Sequence, residues 1–193
     1  LYLIGCGTSY HAAVVGSVYI AQLAGLTAIP VLAPQFIAQY APAVGYEDVG
    51  IFVSQSGETK DVLNALEAAE KRGMACFGLA NVVGSTLTKA TSFCLPLCCG
   101  YEISVPATKT FTNQVVTFLY LAYRLAGKDT SELLRIPELM EQTIEMVGPQ
   151  IEAIAKDINE WNDMYCLGYG ATYPIALEGA LKLKEITYAH CEG

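Results

Sequence analysis

Basic residues are scarce in this sequence. Its 193 residues include 11 Lys and Arg against 19 Asp and Glu, which gives a formal net charge of −8. Proteins that bind DNA or RNA obtain most of their affinity from clustered Lys and Arg that neutralise phosphates. The acidic balance therefore argues against a nucleic-acid partner. It leaves room for a small phosphorylated ligand, because backbone N–H groups and hydroxyls can hold a phosphate.

Long apolar runs are also missing. Gly, Pro or polar residues interrupt each hydrophobic stretch before it reaches the roughly 20 residues of a membrane span, so we expect no membrane partner. The opening run LYLIG has no basic leader, and we expect no signal peptide. Because the chain does not start with Met, we interpret it as a fragment of a longer protein.

Patterns of metal ligands and disulfides are absent as well. The chain has two His and seven Cys, an odd number, and no two Cys have the Cys-x-x-Cys spacing of many zinc sites. We therefore expect no metal. Most of the Cys lie inside apolar runs, which is typical of buried, reduced thiols in a cytoplasmic protein.

Short apolar runs alternate with longer amphipathic runs along the first 127 residues. The short runs are apolar on both faces, as in a parallel sheet covered on both sides. They predict strands at 1–5, 28–33, 49–54, 75–80 and 93–97. Helices are predicted at about 9–24, 34–40, 59–72, 83–89 and 107–126. This order predicts an α/β fold, a three-layer α/β/α sandwich with a five-stranded parallel sheet in the flavodoxin-like order 2-1-3-4-5.

The rest of the chain changes character. Residues 128–162 are charged and helical, and Pro137 and Gly148-Pro149 predict a connector of two helices. Residues 164–179 then repeat the pattern of residues 1–16, which predicts that 163–193 form the first strand and helix of a truncated second domain. The matched pairs are Gly5 and Gly168, Gly7 and Gly170, Ser9 and Thr172, Tyr10 and Tyr173, and Gly16 and Gly179.

Two loops at strand ends carry hydroxyl groups. Residues 5–9 (GCGTS) have no third glycine of the GxGxxG nucleotide motif, since Tyr10 stands there, and GxxxxGK[ST] is absent. Residues 54–59 (SQSGET) follow the third strand. In the order 2-1-3-4-5 both loops lie at the switch point of the sheet, which favours a small-anion site. The alternative is that Ser9 and Thr59 only cap helices.

Charged residues on the last predicted helix, about 174–190, suggest chemistry. Glu178, Lys182 and Glu185 are spaced by four and three residues and share one face. They are either an exposed ion pair or, if they point into a cleft, a pair suited to proton transfer next to a carbonyl. The segment 102–114, rich in hydroxyls, is either a helix cap or another wall of the pocket. His11 and His190 have no partner pattern, and we expect both to be structural.

Five motifs together resemble one family. CGTSY (6–10), SQSGET (54–59), NVVGS (81–85), EISVPATKTFTNQ (102–114) and YPIALEGALKLKEITYAH (173–190) are similar to the sugar-phosphate isomerase half of the glutamine–fructose-6-phosphate aminotransferases. That half contains two sugar isomerase (SIS) domains in tandem, and SQSGET alone marks the wider SIS superfamily. The resemblance covers the whole chain.

The resemblance implies roles for individual residues. The residues that would bind the phosphate are Ser54, Gln55, Ser56 and Thr59. Those that would bind the sugar are Cys6, Gly7, Thr8, Ser9 and, through backbone groups, Val105. Glu185 would be the base that moves a proton between C1 and C2, assisted by Lys182.

The resemblance also implies a reaction without a cofactor. Ammonia from a separate N-terminal glutaminase domain would convert fructose 6-phosphate to glucosamine 6-phosphate in a homodimer, and this fragment alone would be inactive. Departures from the family pattern at Lys60, Pro106 and Ala107 leave the exact sugar open. Two alternatives remain: a glucosamine-6-phosphate deaminase or another phosphosugar isomerase of this superfamily, and a non-catalytic sugar-phosphate sensor.

Overall fold

The computed structural model describes all 193 residues and contains the predicted parallel sheet. Its five strands are β1 (Tyr2–Gly5), β2 (Ile29–Leu32), β3 (Val49–Ser54), β4 (Ala75–Ala80) and β5 (Phe93–Pro96). They lie in the order β2-β1-β3-β4-β5, and every neighbouring pair is parallel. The predicted α/β class and strand order are confirmed.

Helices cover both faces of this sheet, as the apolar strands predicted. They are α1 (Thr8–Ala24), α2 (Ala33–Gln35) with the π turn Phe36–Tyr40, α3 (Lys60–Glu70), α4 (Thr86–Ala90) and α5 (Lys109–Leu125). Side chains alternate along each strand, so Ile4 and Phe52 join the core beneath α2, α3 and α4. Their neighbours Leu3 and Val53 join the core beneath α1 and α5.

Close contact between α1 and α5 fixes the position of the first loop. A Cβ atom at Gly16 would lie only 2.5 Å from the ring of Phe118, so the two helices approach each other through a glycine. Phe118 is fully buried. Burial of a Phe side chain stabilises a fold by roughly 1.5–3 kcal/mol, which holds α1 firmly against the sheet.

The connector differs from its prediction. A 3₁₀ turn (Ser131–Arg135) leads into one helix, α6 (Ile136–Ile158), so the prediction of two helices is wrong. Pro137 lies in the first turn of α6, where a proline is tolerated, and Pro149 lies inside the helix. None of the residues of α6 is buried. Water can therefore bind the carbonyl that Pro149 leaves without a donor, which explains why the helix continues.

The last residues repeat the arrangement of the first. A 3₁₀ turn (Gly170–Thr172) and α7 (Tyr173–Thr187) connect β6 (Asp163–Tyr165) to β7 (His190–Glu192), and the two strands are parallel. Tyr165 pairs with Glu192 as Tyr2 pairs with Ile29, and the same number of residues separates the partners of each pair. None of the helices combines the length and the apolar composition that a membrane span requires.

Candidate functional site

The loop 54–59 lies at the carboxyl end of β3 and is folded by its own hydroxyls. Ser54 is buried, and its Oγ accepts a hydrogen bond of 3.0 Å from the backbone N–H of Gly57. The same Oγ lies 2.8 Å from Thr59 Oγ1. Gly57 has a φ of +67°, in the left-handed region that favours glycine. Ser54 and Gly57 therefore shape the turn that leads into α3.

The start of α3 offers free donors. Thr59 is the N-cap residue, but its hydroxyl bonds to Ser54 and makes no side-chain cap, so the interpretation of Thr59 as a simple cap is wrong. The first N–H groups of an α-helix have no acceptor within the helix, and the helix dipole adds partial positive charge there. The amides at the start of α3 and the hydroxyls of Ser56 and Thr59 can therefore surround an anion.

Glu58 explains why a carboxylate is tolerated in such a loop. It accepts hydrogen bonds from the backbone N–H of Thr86 at 2.7 Å and from Thr86 Oγ1 at 2.8 Å. These bonds, the backbone bond first, lower the pKa of Glu58. Its charge is thus held at the start of α4. No motif in the sequence predicts this role of Glu58, although an acidic residue within an anion-type loop is itself a signal that its charge has another partner.

The loop 5–9 lies beside the loop 54–59. Ile4 pairs with Phe52 across β1 and β3. Cys6 and Ser54 each come two residues later, so both lie at the carboxyl ends of these neighbouring strands. Gly7, and not Ser9, is the N-cap of α1, and the backbone N–H of Ser9 donates to the carbonyl of Cys6. The cap interpretation of Ser9 is therefore wrong. Burial raises the pKa of the Cys6 thiol, which keeps this wall of the site uncharged.

A cluster of charged groups connects α7 to the first loop. Lys182 Nζ lies 2.6 Å from Glu185 Oε2 and donates at 3.1 Å to the hydroxyl of Thr8. Thr8 in turn donates at 2.9 Å to Glu178 Oε1, which also lies 3.4 Å from Lys182 Nζ. The side chains of Lys182 and Glu185 are 17% and 28% exposed, so the interpretation as an exposed ion pair is wrong.

Glu178 and His11 are the polar residues of this cluster that the predicted site did not include. Glu178 Oε2 lies 2.7 Å from His11 Nδ1, and its side chain is only 6% exposed. One signal was available: His11 is three residues after Thr8 and therefore on the same face of α1. The other histidine, His190, is exposed and lies 3.0 Å from Asp163 in the β6–β7 pair.

A cleft opens beside the loop 54–59. It has a volume of about 450 Å³ and is lined by Gln55, residues 81–83 and residues 100–102. Val105 is outside this lining, and the residue is 89% exposed. Of the hydroxyl-rich segment 102–114, Glu102 thus contributes to a wall, while a contact of Val105 through its backbone stays a prediction.

Glu102 also fastens the start of α5. Its Oε2 accepts hydrogen bonds from the backbone N–H and the hydroxyl of Thr110, at 3.0 and 2.8 Å, and from the backbone N–H of Thr108 at 3.3 Å. Desolvation alone would raise the pKa of Glu102, but these bonds outweigh it and lower the pKa. The predicted helix cap in this segment is therefore provided by Glu102.

Comparisons with known proteins agree on one family. A family model described as SIS domain matches residues 1–124. The glutamine–fructose-6-phosphate aminotransferase (isomerizing) of Pyrobaculum aerophilum is 41% identical over 199 residues, which cover all of this chain and 33% of that protein. The chain thus spans about a third of the length of the curated relatives it matches.

Solved structures give the same picture. The C-terminal domain of glucosamine-fructose-6-phosphate aminotransferase from Francisella tularensis superposes with a TM-score of 0.87 at 28% identity, covering 99% of this chain and 57% of that one. Glucosamine-6-phosphate deaminase from Thermotoga maritima also gives 0.87, at 26% identity, covering 99% of this chain and 59% of that one.

Proposed function

Because the chain belongs to the SIS domain family, we propose that it is the sugar-phosphate isomerase part of a glutamine–fructose-6-phosphate aminotransferase. The proposed reaction turns fructose 6-phosphate and ammonia from glutamine into glucosamine 6-phosphate. The 41% identity over the whole chain supports this function. The glutaminase domain would belong to the two thirds of the relatives' length that this chain does not span.

The proposed organisation has three parts. Residues 1–127 form a first SIS domain, 128–162 a helical connector, and 163–193 the beginning of a second SIS domain. The repeat of β1–α1–β2 by β6–α7–β7, with the same pairing of strands, supports this division. We also propose a cytoplasmic homodimer, and sedimentation of the full-length protein measures its oligomeric state.

The phosphate of the sugar would bind to the loop 54–59. The free amides at the start of α3 would donate to the phosphate, and the hydroxyls of Ser56 and Thr59, with the amide of Gln55, would complete a shell of donors without a lysine. Lys60 follows the loop and is exposed, so it adds positive charge at the rim. The neighbouring loop at Cys6, Gly7, Thr8 and Ser9 would hold the sugar itself.

The proton transfer would be carried out by Glu185. In the imine of fructose 6-phosphate, C2 is double-bonded to nitrogen. A proton leaves C1 and returns to C2, while the proton of the O1 hydroxyl moves to the nitrogen. The products are the aldehyde at C1 and the amine at C2. One carboxylate can perform both steps, since C1 and C2 are adjacent. Lys182 and the Thr8 hydroxyl, which are hydrogen-bonded to each other, would stabilise charge that develops on the sugar oxygen. This chemistry requires no cofactor.

The observation that carries the proposal is the position of Lys182. Its ammonium touches Glu185 on α7 and Thr8 in the loop beside the loop 54–59. This contact supports the proposal that the candidate base and the candidate phosphate loop belong to one site. A sensor that only binds the sugar phosphate has no use for a carboxylate and an ammonium in this partly buried arrangement.

The test is the variant Glu185→Gln in the full-length protein. General bases typically contribute factors of 10²–10⁴, so we expect glucosamine 6-phosphate formation to fall by about that much while fructose 6-phosphate still binds. Glu192→Gln, which removes an exposed carboxylate paired with Lys184, is the matched control and should leave the rate unchanged. Retained turnover in Glu185→Gln would remove Glu185 as the base.

The structural similarity to a deaminase supports a second candidate function. A glucosamine-6-phosphate deaminase would use the same site in the opposite direction, and the T. maritima enzyme of that name superposes as well as the aminotransferase does. The two functions are distinguished by the nitrogen source. Incorporation of the amide nitrogen of labelled glutamine into the sugar supports the synthase, and release of ammonia from glucosamine 6-phosphate without glutamine supports the deaminase.

A further inference from the structure

Glu178 is a nearly buried carboxylate whose two oxygens have different partners. Oε2 faces His11 Nδ1 at 2.7 Å, and Oε1 accepts the Thr8 hydroxyl at 2.9 Å. A buried carboxylate without donors is destabilising by several kcal/mol, so both oxygens need them. His11 Nδ1 is the partner of Oε2.

Lys182 is located between two carboxylates. Its Nζ lies 2.6 Å from Glu185 Oε2 but 3.4 Å from Glu178 Oε1. An ammonium between two carboxylates binds more closely to the one that has fewer other hydrogen-bond donors. Since Thr8 and His11 already bind Glu178, Lys182 is free to bind Glu185.

We propose that His11 is a positioning residue for the proton transfer. By donating to Glu178, it keeps Lys182 directed at Glu185 and at the Thr8 hydroxyl. This inference rests on the proposed role of Glu185 as the base. The donor role requires hydrogen on Nδ1, which one neutral tautomer and the imidazolium both supply.

The titratable groups around His11 lie on two helices. On α7, Glu178 faces His11 directly. Lys182 contacts Glu178 and Glu185, so Lys182 and Glu185 connect to His11 through Glu178. On α1 the ring of Tyr10 lies 5.9 Å from the imidazole, centroid to centroid. Burial, and then the neighbouring Tyr173 at the start of α7, raises the pKa of Tyr10. Only Glu178 is in hydrogen-bonding contact with the side chain of His11, so loss of that side chain is expected to act through the carboxylate.

Removing the donor should redirect Lys182. With Oε2 of Glu178 unpaired, the ammonium is expected to approach Glu178 and leave Glu185. Glu185 would then lose the ammonium that orients its carboxylate, and the Thr8 hydroxyl would lose the same partner. A misplaced catalytic group slows the chemical step more than it weakens substrate binding.

Two variants of similar shape separate this role from simple packing. His11→Asn keeps an N–H donor near the position of Nδ1, whereas His11→Leu fills the same space without a donor. In the full-length protein we expect His11→Leu to lower kcat about tenfold, with KM for fructose 6-phosphate little changed. His11→Asn should stay within about threefold of the unmodified protein. His190→Leu, which removes the exposed histidine, is the control.

Crystal structures of the two variants give a readout that needs no activity. In His11→Leu the distance from Lys182 Nζ to Glu185 Oε2 should lengthen beyond 3.5 Å, while His11→Asn should keep it near 2.6 Å. An unmodified protein that makes no glucosamine 6-phosphate would contradict the proposed function, and the two structures would still test the positioning. An unchanged Lys182–Glu185 pair or an unchanged kcat in His11→Leu overturns the inference. If His11→Leu does not fold, the double variant His11→Leu with Glu178→Gln is compared with Glu178→Gln alone. There the leucine should no longer lower kcat, and a loss of equal size also overturns the inference.

Discussion

Gly57 offers a quantitative test of how the loop 54–59 is built. Its φ is +67°, and a Cβ atom added there would lie 2.0 Å from Ser85 Oγ and 2.6 Å from Ser85 Cβ. Gly57→Ala therefore combines two penalties. The left-handed backbone costs a non-glycine residue about 1–2 kcal/mol, and forcing apart a packed contact costs about 1–3 kcal/mol.

The expected loss for Gly57→Ala is thus about 2–5 kcal/mol in the free energy of unfolding. Gly127 supplies the control, because its φ is +66° but nothing lies within 4 Å of its Cβ position. Gly127→Ala should cost only the backbone penalty, about 1–2 kcal/mol. The difference between the two variants isolates the contact with Ser85.

The assay is urea unfolding of the full-length protein, with midpoint and slope measured for both variants. Fructose 6-phosphate binding by calorimetry gives the second readout, and we expect a loss of more than tenfold only for Gly57→Ala, since displacement of the loop moves its donors. Adding Ser85→Gly should recover most of the steric part, because neighbouring substitutions are not additive. Equal destabilisation by the two alanines, or unchanged binding in Gly57→Ala, would refute the packing of Gly57 on Ser85 as the support of the loop.

Three further predictions concern separate parts of the molecule. Ser56→Ala combined with Thr59→Ala should weaken binding of the phosphosugar more than tenfold by calorimetry, and unchanged affinity would contradict the phosphate role of the loop. Both polar atoms of the Gln114 side chain are buried without a hydrogen-bond partner, so Gln114→Leu should raise the free energy of unfolding by about 1–3 kcal/mol, and a loss of stability would contradict this. Folding lowers the pKa of Glu102 from its ordinary value of 4.5. Its carboxylate therefore stabilises the fold above pH 4.5, and this contribution is lost as the pH falls through the pKa of the folded state. Acid titration of stability should show a weaker decline below pH 4.5 for Glu102→Gln, and identical titrations would contradict the bonds to Thr110.

The sequence alone was enough to predict the sheet and its order. Strands that are apolar on both faces and separated by helices allow few arrangements, and β3 and β4 begin and end where their apolar runs do. The helix break predicted at Gly148-Pro149 is wrong. The prediction assumed that the backbone carbonyl left without an N–H donor by Pro149 has no other partner. On an exposed helix such as α6, water supplies that partner.

The polar contacts inside the site could be predicted only in part. The spacing of Glu178, Lys182 and Glu185 placed them on one face of α7, which is correct. It did not indicate the partners of Glu178, because Thr8 and His11 are 170 and 167 residues away in the sequence. Contacts of this kind depend on how α1 and α7 pack together, and neither helix pattern contains that information.

The acidic net charge says little about the potential at the predicted phosphate loop. Glu58 in that loop is bound by the backbone and hydroxyl of Thr86, and Glu178 by His11, Thr8 and Lys182. These hydrogen bonds pair each carboxylate with fixed donors. The first amide N–H groups of α3 have no acceptor within the helix and remain available to a ligand. At physiological ionic strength, charges more than about 8 Å away are largely screened. Recognition of a phosphate here would therefore depend on a few oriented N–H and O–H groups, and a chain with a charge of −8 can provide them.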